Sequence, residues 1–194
     1  MPDVLTRRQS VRLERAAYHE AGHAVAAIEL KRAFKYVTII PGEDTLGHIK
    51  FEGFGSDFHP DHDVSPRVRA KLERAIMCSL AGGIAEAKFR GRHNHRGASG
   101  DYFNTVDFAE YVTHSVKEAE AYINWLSIRT AHLFSLPYVW AGVAGLAAAL
   151  IEQRHIGSRA ARQIVRDSMR AYTDTGLAED RVDITATKSQ TEGD

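Results

Sequence analysis

The chain has 194 residues, 44% apolar and 26% charged, with 25 Lys+Arg balancing 25 Asp+Glu. This is the make-up of an ordinary globular chain of about one domain, with enough length to bury a substantial core. The even charge balance and the lack of a long basic block argue against a nucleic-acid-binding surface.

Residues 1–8 contain no apolar run of the length a signal peptide needs. Ser10 to Lys31 is predicted as the first helix, with Ala17, Ala21, Ala24, Val25 and Ile28 forming its apolar stripe. His19-Glu20-Ala21-Gly22-His23 lies in the middle of that helix, on a flank of the stripe. Phe34 to Ile40 is β-rich, Pro41-Gly42 breaks it, and Leu46 to Phe54 returns as a second strand, giving one small β-hairpin. Residues 53–63 lack periodicity and read as a loop.

Ser65-Pro66 is a helix start, a capping hydroxyl followed by proline in the first turn. That helix is predicted to reach Phe89, carrying Val68, Leu72, Ile76, Leu80 and Ile84 inward. Gly82-Gly83 inside it costs on the order of 1 kcal/mol per glycine in helix propensity, and a close helix–helix approach is one reason to keep them. Cys78, the only cysteine, lies in this stretch and reads as a small core residue. No intramolecular disulfide can form, so a reducing compartment is expected. A Gly- and His-containing loop follows over 91–100, with Ser99 able to cap the next helix and place Asp101 in its first turn.

Helical patterns continue to about Ser135, from Pro137 to Arg154, and from Ser158 to Tyr172. Tyr138 to Ile151 is the most hydrophobic run, but its 14 residues fall short of the roughly 18 needed to span a bilayer, so a buried helix is expected. With no signal or membrane segment read from the sequence, the expected location is the cytoplasm. Trp125, Phe134, Tyr138 and Trp140 are expected in the core or an interface, and the charges from Arg159 to Arg170 on a solvated helix face. The expectation is a mainly α (α+β) domain over residues 1–173 with one hairpin, followed by a polar, disordered tail over 174–194.

The chemistry resides in the first helix. Side chains four apart on a helix project to the same side one turn apart, which suits His19 and His23 to a shared metal ion. Catalytic zinc takes three protein ligands and leaves one position for a water, whose pKa it lowers to about 7. Glu20, beside the histidines, is the candidate general base that takes the proton and passes it to the leaving amine. Residue spacing leaves the third ligand open. A third histidine six residues after the second would fall at Glu29, and the glycine that accompanies it at Ala26, so that class is excluded. Glu73, Glu86, Asp101 and Asp107 remain, with His93 and His95 in a loop as a further pair; His48, His59 and His62 read as solvated.

Ala17-Tyr18-His19-Glu20-Ala21-Gly22-His23-Ala24-Val25 resembles the signature of the peptidase domain of the FtsH family, membrane-bound ATP-dependent zinc proteases. Val37-Thr38-Ile39-Ile40-Pro41 with Leu46-Gly47 is similar to that family's hairpin, and Leu80-Ala81-Gly82-Gly83-Ile84-Ala85-Glu86 to its small-residue helix ending in glutamate. Leu146 to Glu152 is similar to its closing helices, so the resemblance runs from about Ala16 to Asp167. Gly97-Ala98-Ser99-Gly100-Asp101 resembles the segment carrying the family's zinc-binding aspartate. The resemblance thus implies Asp101 as third ligand, with Glu86 either orienting a histidine or sitting as a plain surface carboxylate.

The sequence also departs from that pattern. Gly42 to Ile49 only superficially matches a phosphate loop, because His48 and Ile49 replace its Lys and Ser/Thr. The arginines that follow the hairpin proline and the paired glycines in the family are replaced by Gly42-Glu43 and by Ile84 after Gly83. The expectation is a peptidase domain standing by itself, without AAA module or membrane anchor. ATP-driven unfolding and ring assembly do not carry over, and a homo-oligomer or a separate ATPase partner stays open. The implied activity is zinc-dependent endopeptidase action on polypeptides. The alternative is a catalytically silent metal-binding, regulatory or adaptor module derived from a peptidase.

Overall fold

A computed structural model of the chain describes residues 6–42, 47–63, 65–91 and 99–191, with side chains described throughout except at 99, 100, 102, 103 and 176–191. Six helices and a three-stranded antiparallel sheet make up the described residues, a mainly α fold. Helix α1 (Arg7–Glu29) begins three residues earlier than its apolar stripe suggests, because Thr6 and Gln9 form a capping box. The Gln9 amide donates to Oγ1 of Thr6, while the Thr6 amide donates to Oε1 of Gln9 at 2.8 Å. The apolar stripe of α1 faces inward, with Ala17, Ala21, Ala24 and Val25 fully buried.

Helix α2 (Pro66–Phe89) has the predicted bounds, its first turn capped by Oγ of Ser65, which accepts from the Val68 amide. Small residues let α1 and α2 approach closely. A Cβ on Gly22 would lie 2.5 Å from Cβ of Ala85 and 2.7 Å from the carbonyl oxygen of Ala81. Cys78 is fully buried in this layer, and burial pushes its thiol up to about 11, so it behaves as a core residue.

Helix α3 (Ser99–Glu110) and helix α4 (Val116–Ser135) pack on the other side of α2. Ile76, Met77, Ala109, Ala119, Ile123 and Leu126 form the small core between them. Ser115 caps α4 by accepting from the Glu118 amide at 3.2 Å. The chain then bends by 84° into α5 (Pro137–Gln153), whose Val139, Val143, Leu146, Ala147 and Leu150 are fully buried in the main core. Fully burying each of the larger of these side chains contributes roughly 1.5–3 kcal/mol. No single helix among the described residues is long and apolar enough to cross a membrane. Phe134 is buried and Trp140 stacks on Tyr18, whereas Trp125 and Tyr138 are 45% and 41% exposed. Helix α6 (Ser158–Thr191) runs past the Tyr172 limit of the sequence pattern. The expected disordered tail falls mostly on residues whose side chains lie outside the described set.

The hairpin is present as β1 (Phe34–Thr38) and β2 (His48–Phe51), with Thr38 opposite His48 and Val37 opposite Ile49. Its connecting residues 43–46 lie outside the described residues. A third strand, β3 (His155–Gly157), escapes sequence reading and pairs antiparallel with β1 on its other side. Three residues are too few to carry a period-two pattern. The strand forms because Arg154 ends α5 at φ 65°, and its carbonyl then accepts from the Ile39 amide and the Thr38 hydroxyl, both at 2.9 Å. Among the described residues, the sheet order β2-β1-β3 leaves one edge of β2 without a strand partner.

Because the Gly22 site offers no room, Gly22→Ala is expected to lower stability by about 1–3 kcal/mol, the usual range for overpacking. A urea midpoint unchanged from wild type would show that α1 and α2 separate without penalty.

Candidate metal centre

The geometry follows from helix periodicity. His19 and His23, one turn apart on α1, turn their rings toward α2, and their Nε2 atoms are 3.1 Å apart. Space for both rings comes from Gly82: a Cβ there would overlap Nε2 of His23 and lie 2.7 Å from Nε2 of His19. Asp101 arrives from the first turn of α3, where the buried Thr105 hydroxyl donates to its main-chain carbonyl at 2.8 Å. Oδ2 of Asp101 lies 3.1 Å from Nε2 of His19 and 3.3 Å from Nε2 of His23.

Each imidazole is oriented through its other nitrogen. Nδ1 of His23 is 2.7 Å from the carbonyl oxygen of Cys78. A carbonyl only accepts, so Nδ1 carries a proton, and Nε2 is the nitrogen left to face the triangle. Nδ1 of His19 lies 3.4 Å from Oε2 of Glu86, and Arg15 reaches Oε1 of the same carboxylate at 2.7 Å.

The group is strongly coupled. Burial lowers the His19 pKa, but its hydrogen bonds to Asp101 and Glu86 outweigh this and raise it to about 10. Burial works against the Asp101 charge, yet the hydrogen bonds from His19 and His23 hold that carboxyl below the usual range. The His19 hydrogen bond is also the largest influence on Glu86, which is lowered to about 2 with help from Arg15. Glu20 differs: burial raises its pKa, opposed by the nearby His23 and His19. It is only 6% exposed, and its Oε2 has no hydrogen-bond partner among the described residues. Gly47, at the entry to β2, abuts it, since a Cβ there would lie 3.0 Å from Cγ of Glu20.

Two imidazole nitrogens and a carboxylate oxygen form a triangle with edges of 3.1, 3.1 and 3.3 Å. Tetrahedral zinc with ligands at about 2.0–2.2 Å requires edges of about 3.3–3.6 Å, a few tenths of an ångström wider than the triangle, and N/N/O is a donor set zinc accepts. The donor set, the cradle at Gly82 and the unpartnered Glu20 oxygen therefore fit a zinc ion with a carboxylate beside it.

The other residues singled out from sequence lie apart from this triangle. Glu73 accepts from the Tyr122 hydroxyl at 2.8 Å, Asp107 is exposed, and His48 pairs with the Tyr36 hydroxyl at 3.1 Å. His59 and His62 are exposed, and His93 and His95 lie outside the described residues. Sequence reasoning missed Arg15, which carries no local signal because its partner is 71 residues away. Gly82 was visible only as a glycine out of place in a helix.

Replacing Gly82 with Ala is expected to push the imidazoles off the triangle. Zinc affinity, measured by calorimetry, should fall by about tenfold or more while helix content by circular dichroism stays at the wild-type level. Wild-type affinity in Gly82→Ala would remove the cradle argument.

The profile of Peptidase family M41 matches residues 7–115, the stretch from α1 through α3 that holds all four side chains. ATP-dependent zinc metalloprotease YME1L1 of Rattus norvegicus is 35% identical over 97 residues, covering 48% of this chain and 13% of that protein. ATP-dependent zinc metalloprotease FTSH 11, chloroplastic/mitochondrial, of Arabidopsis thaliana is 32% identical over 108 residues, covering 54% of this chain and 12% of its own. ATP-dependent zinc metalloprotease FtsH of Metamycoplasma arthritidis is 39% identical over 88 residues, covering 44% and 11%. The matched stretch spans only about an eighth of the length of these relatives. On the extent of the profile match, spanning more than half its residues, the chain belongs to Peptidase family M41.

Proposed function

We propose that the protein is a zinc-dependent endopeptidase in which His19, His23 and Asp101 hold the metal and Glu20 is the general base. The observation that carries this reading is the three-atom triangle with a buried carboxylate oxygen next to it that has no partner among the described residues. A zinc ion there would supply Lewis acidity to polarise a scissile carbonyl and acidify water.

The chain's own groups account for the proton traffic. Among the described residues no donor competes for Oε2 of Glu20, and the raised pKa brings the carboxylate nearer to the range in which it can accept a proton and release it again. In this reading Glu20 takes the proton of the attacking water at Oε2 and returns it to the leaving amine. The Cys78 carbonyl and Glu86 hold the rings so that only their Nε2 atoms face the triangle.

We further propose that β2 receives the substrate. It is an edge strand whose entry, at Gly47, touches Glu20, so an extended polypeptide added to that edge would lie alongside the candidate base. Flexible or unfolded segments suit this mode, because they can offer a free backbone. We place the peptidase unit within residues 1–173.

Zinc-loaded protein is expected to cleave an unfolded polypeptide, to stop with a chelator, and to recover when zinc is returned. Glu20→Gln should keep its zinc and lose about 10²–10⁴-fold in turnover, whereas Asp101→Ala should lose zinc itself. Tight zinc without any hydrolysis in the wild type would favour a catalytically silent module. Retained turnover in Glu20→Gln would remove it as the base. For the edge strand, peptides N-methylated at backbone amides flanking the cleavage point should be turned over about tenfold more slowly or worse. Equal turnover of methylated and unmethylated peptides would remove that role.

A further inference from the structure

We propose that Arg15 is a positioning residue for the metal centre: by occupying one oxygen of Glu86, it leaves the other to face Nδ1 of His19, and so aims Nε2 of that ring into the triangle. The inference rests on the metal reading of His19, His23 and Asp101 and extends it to a residue outside the ligand set.

The two histidines are anchored by unlike means. His23 is held by a main-chain carbonyl inside α2, which cannot rotate away. His19 is held by the Glu86 side chain near the end of α2, a longer and partly exposed group with rotamers to choose from. An anchor of that kind needs an anchor of its own.

Arg15 meets that need. It sits one turn before His19 on α1, so the two side chains share a face. Its Nε donates to Oε1 of Glu86 at 2.8 Å, and its Nη2 lies 2.7 Å from the same oxygen. Nη1 of Arg90 lies 3.4 Å from the same oxygen. These cationic donors all converge on Oε1, and Oε2 is the oxygen 3.4 Å from Nδ1 of His19. A carboxylate fixed at Oε1 from two helices presents Oε2 in one direction. Nδ1 of His19 then carries the proton toward Glu86, and Nε2 keeps its lone pair for the metal.

Without Arg15, only the longer Arg90 contact remains, and Glu86 is free to turn toward solvent. The ring of His19 then loses its fixed tautomer and direction. Arg15 is 45% exposed, so its hold on Glu86 is open to screening by salt. A planar guanidinium that donates through Nε and sets Nη2 against the same oxygen is not reproduced by lysine.

The test is zinc affinity by competition with a chromophoric chelator, at low and high salt, for wild type, Arg15→Ala, Arg15→Lys, Glu86→Gln and the Arg15→Ala/Glu86→Gln double variant. Arg15→Ala should bind zinc about 10-fold to 100-fold more weakly, Arg15→Lys should recover part of this, and Glu86→Gln should lose at least as much as Arg15→Ala. In the Glu86→Gln background, removing Arg15 should cost nothing more, because its effect runs through that carboxylate. The cobalt-substituted Arg15→Ala protein should have an altered visible spectrum. Wild-type affinity in Arg15→Ala overturns the proposal, including when its metal-free melting temperature falls. So does an equal loss in both backgrounds. Wild-type protein that takes up no zinc overturns the underlying metal reading instead, and the proposal with it.

Discussion

The close contact between α1 and α2 is the constraint on which the rest of the structure depends. Two helices normally pack with axes about 8–10 Å apart, and only small residues let backbones come nearer. Here Gly22 meets Ala81 and Ala85, and Gly82 makes room for two imidazoles between the helices. Glycine inside a helix costs about 1 kcal/mol, a penalty that the buried alanine layer offsets. The same contact carries the Cys78 carbonyl to His23 and Glu86 to His19. Packing and imidazole orientation are thus one arrangement.

The third corner depends on a different part of the core. Asp101 belongs to α3, which is held against α2 and α4 by Ile76, Met77, Ala109, Ala119, Ile123 and Leu126. The Thr105 hydroxyl, fully buried, fastens the Asp101 main chain within the first turn of that helix. Acidic and basic groups gather in a partly buried space, and each draws the other toward its charged form. Such a cluster is costly to bury unless every member is paired. Glu20 is the exception, the member with an oxygen that has no partner among the described residues, and that is what sets it apart chemically.

The sheet adds an edge. β1 is held on both sides, so among the described residues β2 is left with a free side, and Gly47 brings the start of that strand against Glu20. Glycine is required there by proximity: any side chain would press on the Thr38 carbonyl and on Glu20.

Sequence alone determined whatever depends on near neighbours. The spacing of His19 and His23 on one helix, with Glu20 beside them, follows from the helical repeat. The bounds of α2 follow from Ser65-Pro66, and the β1–β2 pair from the break at Pro41-Gly42. Even the earlier start of α1 was present in the Thr6 and Gln9 pair, a capping signal overlooked beside the apolar stripe. Tertiary structure decided which carboxylate lies beside the imidazoles. Spacing left Glu73, Glu86, Asp101 and Asp107 open, and resemblance alone singled out Asp101. Its position 82 residues from His19 is set by how α3 packs, which no local pattern encodes. The same holds for β3, too short to have a period, and for Arg15, whose partner is remote in sequence. Local preferences act over a few residues, whereas a site assembled from three helices exists only once those helices share a core.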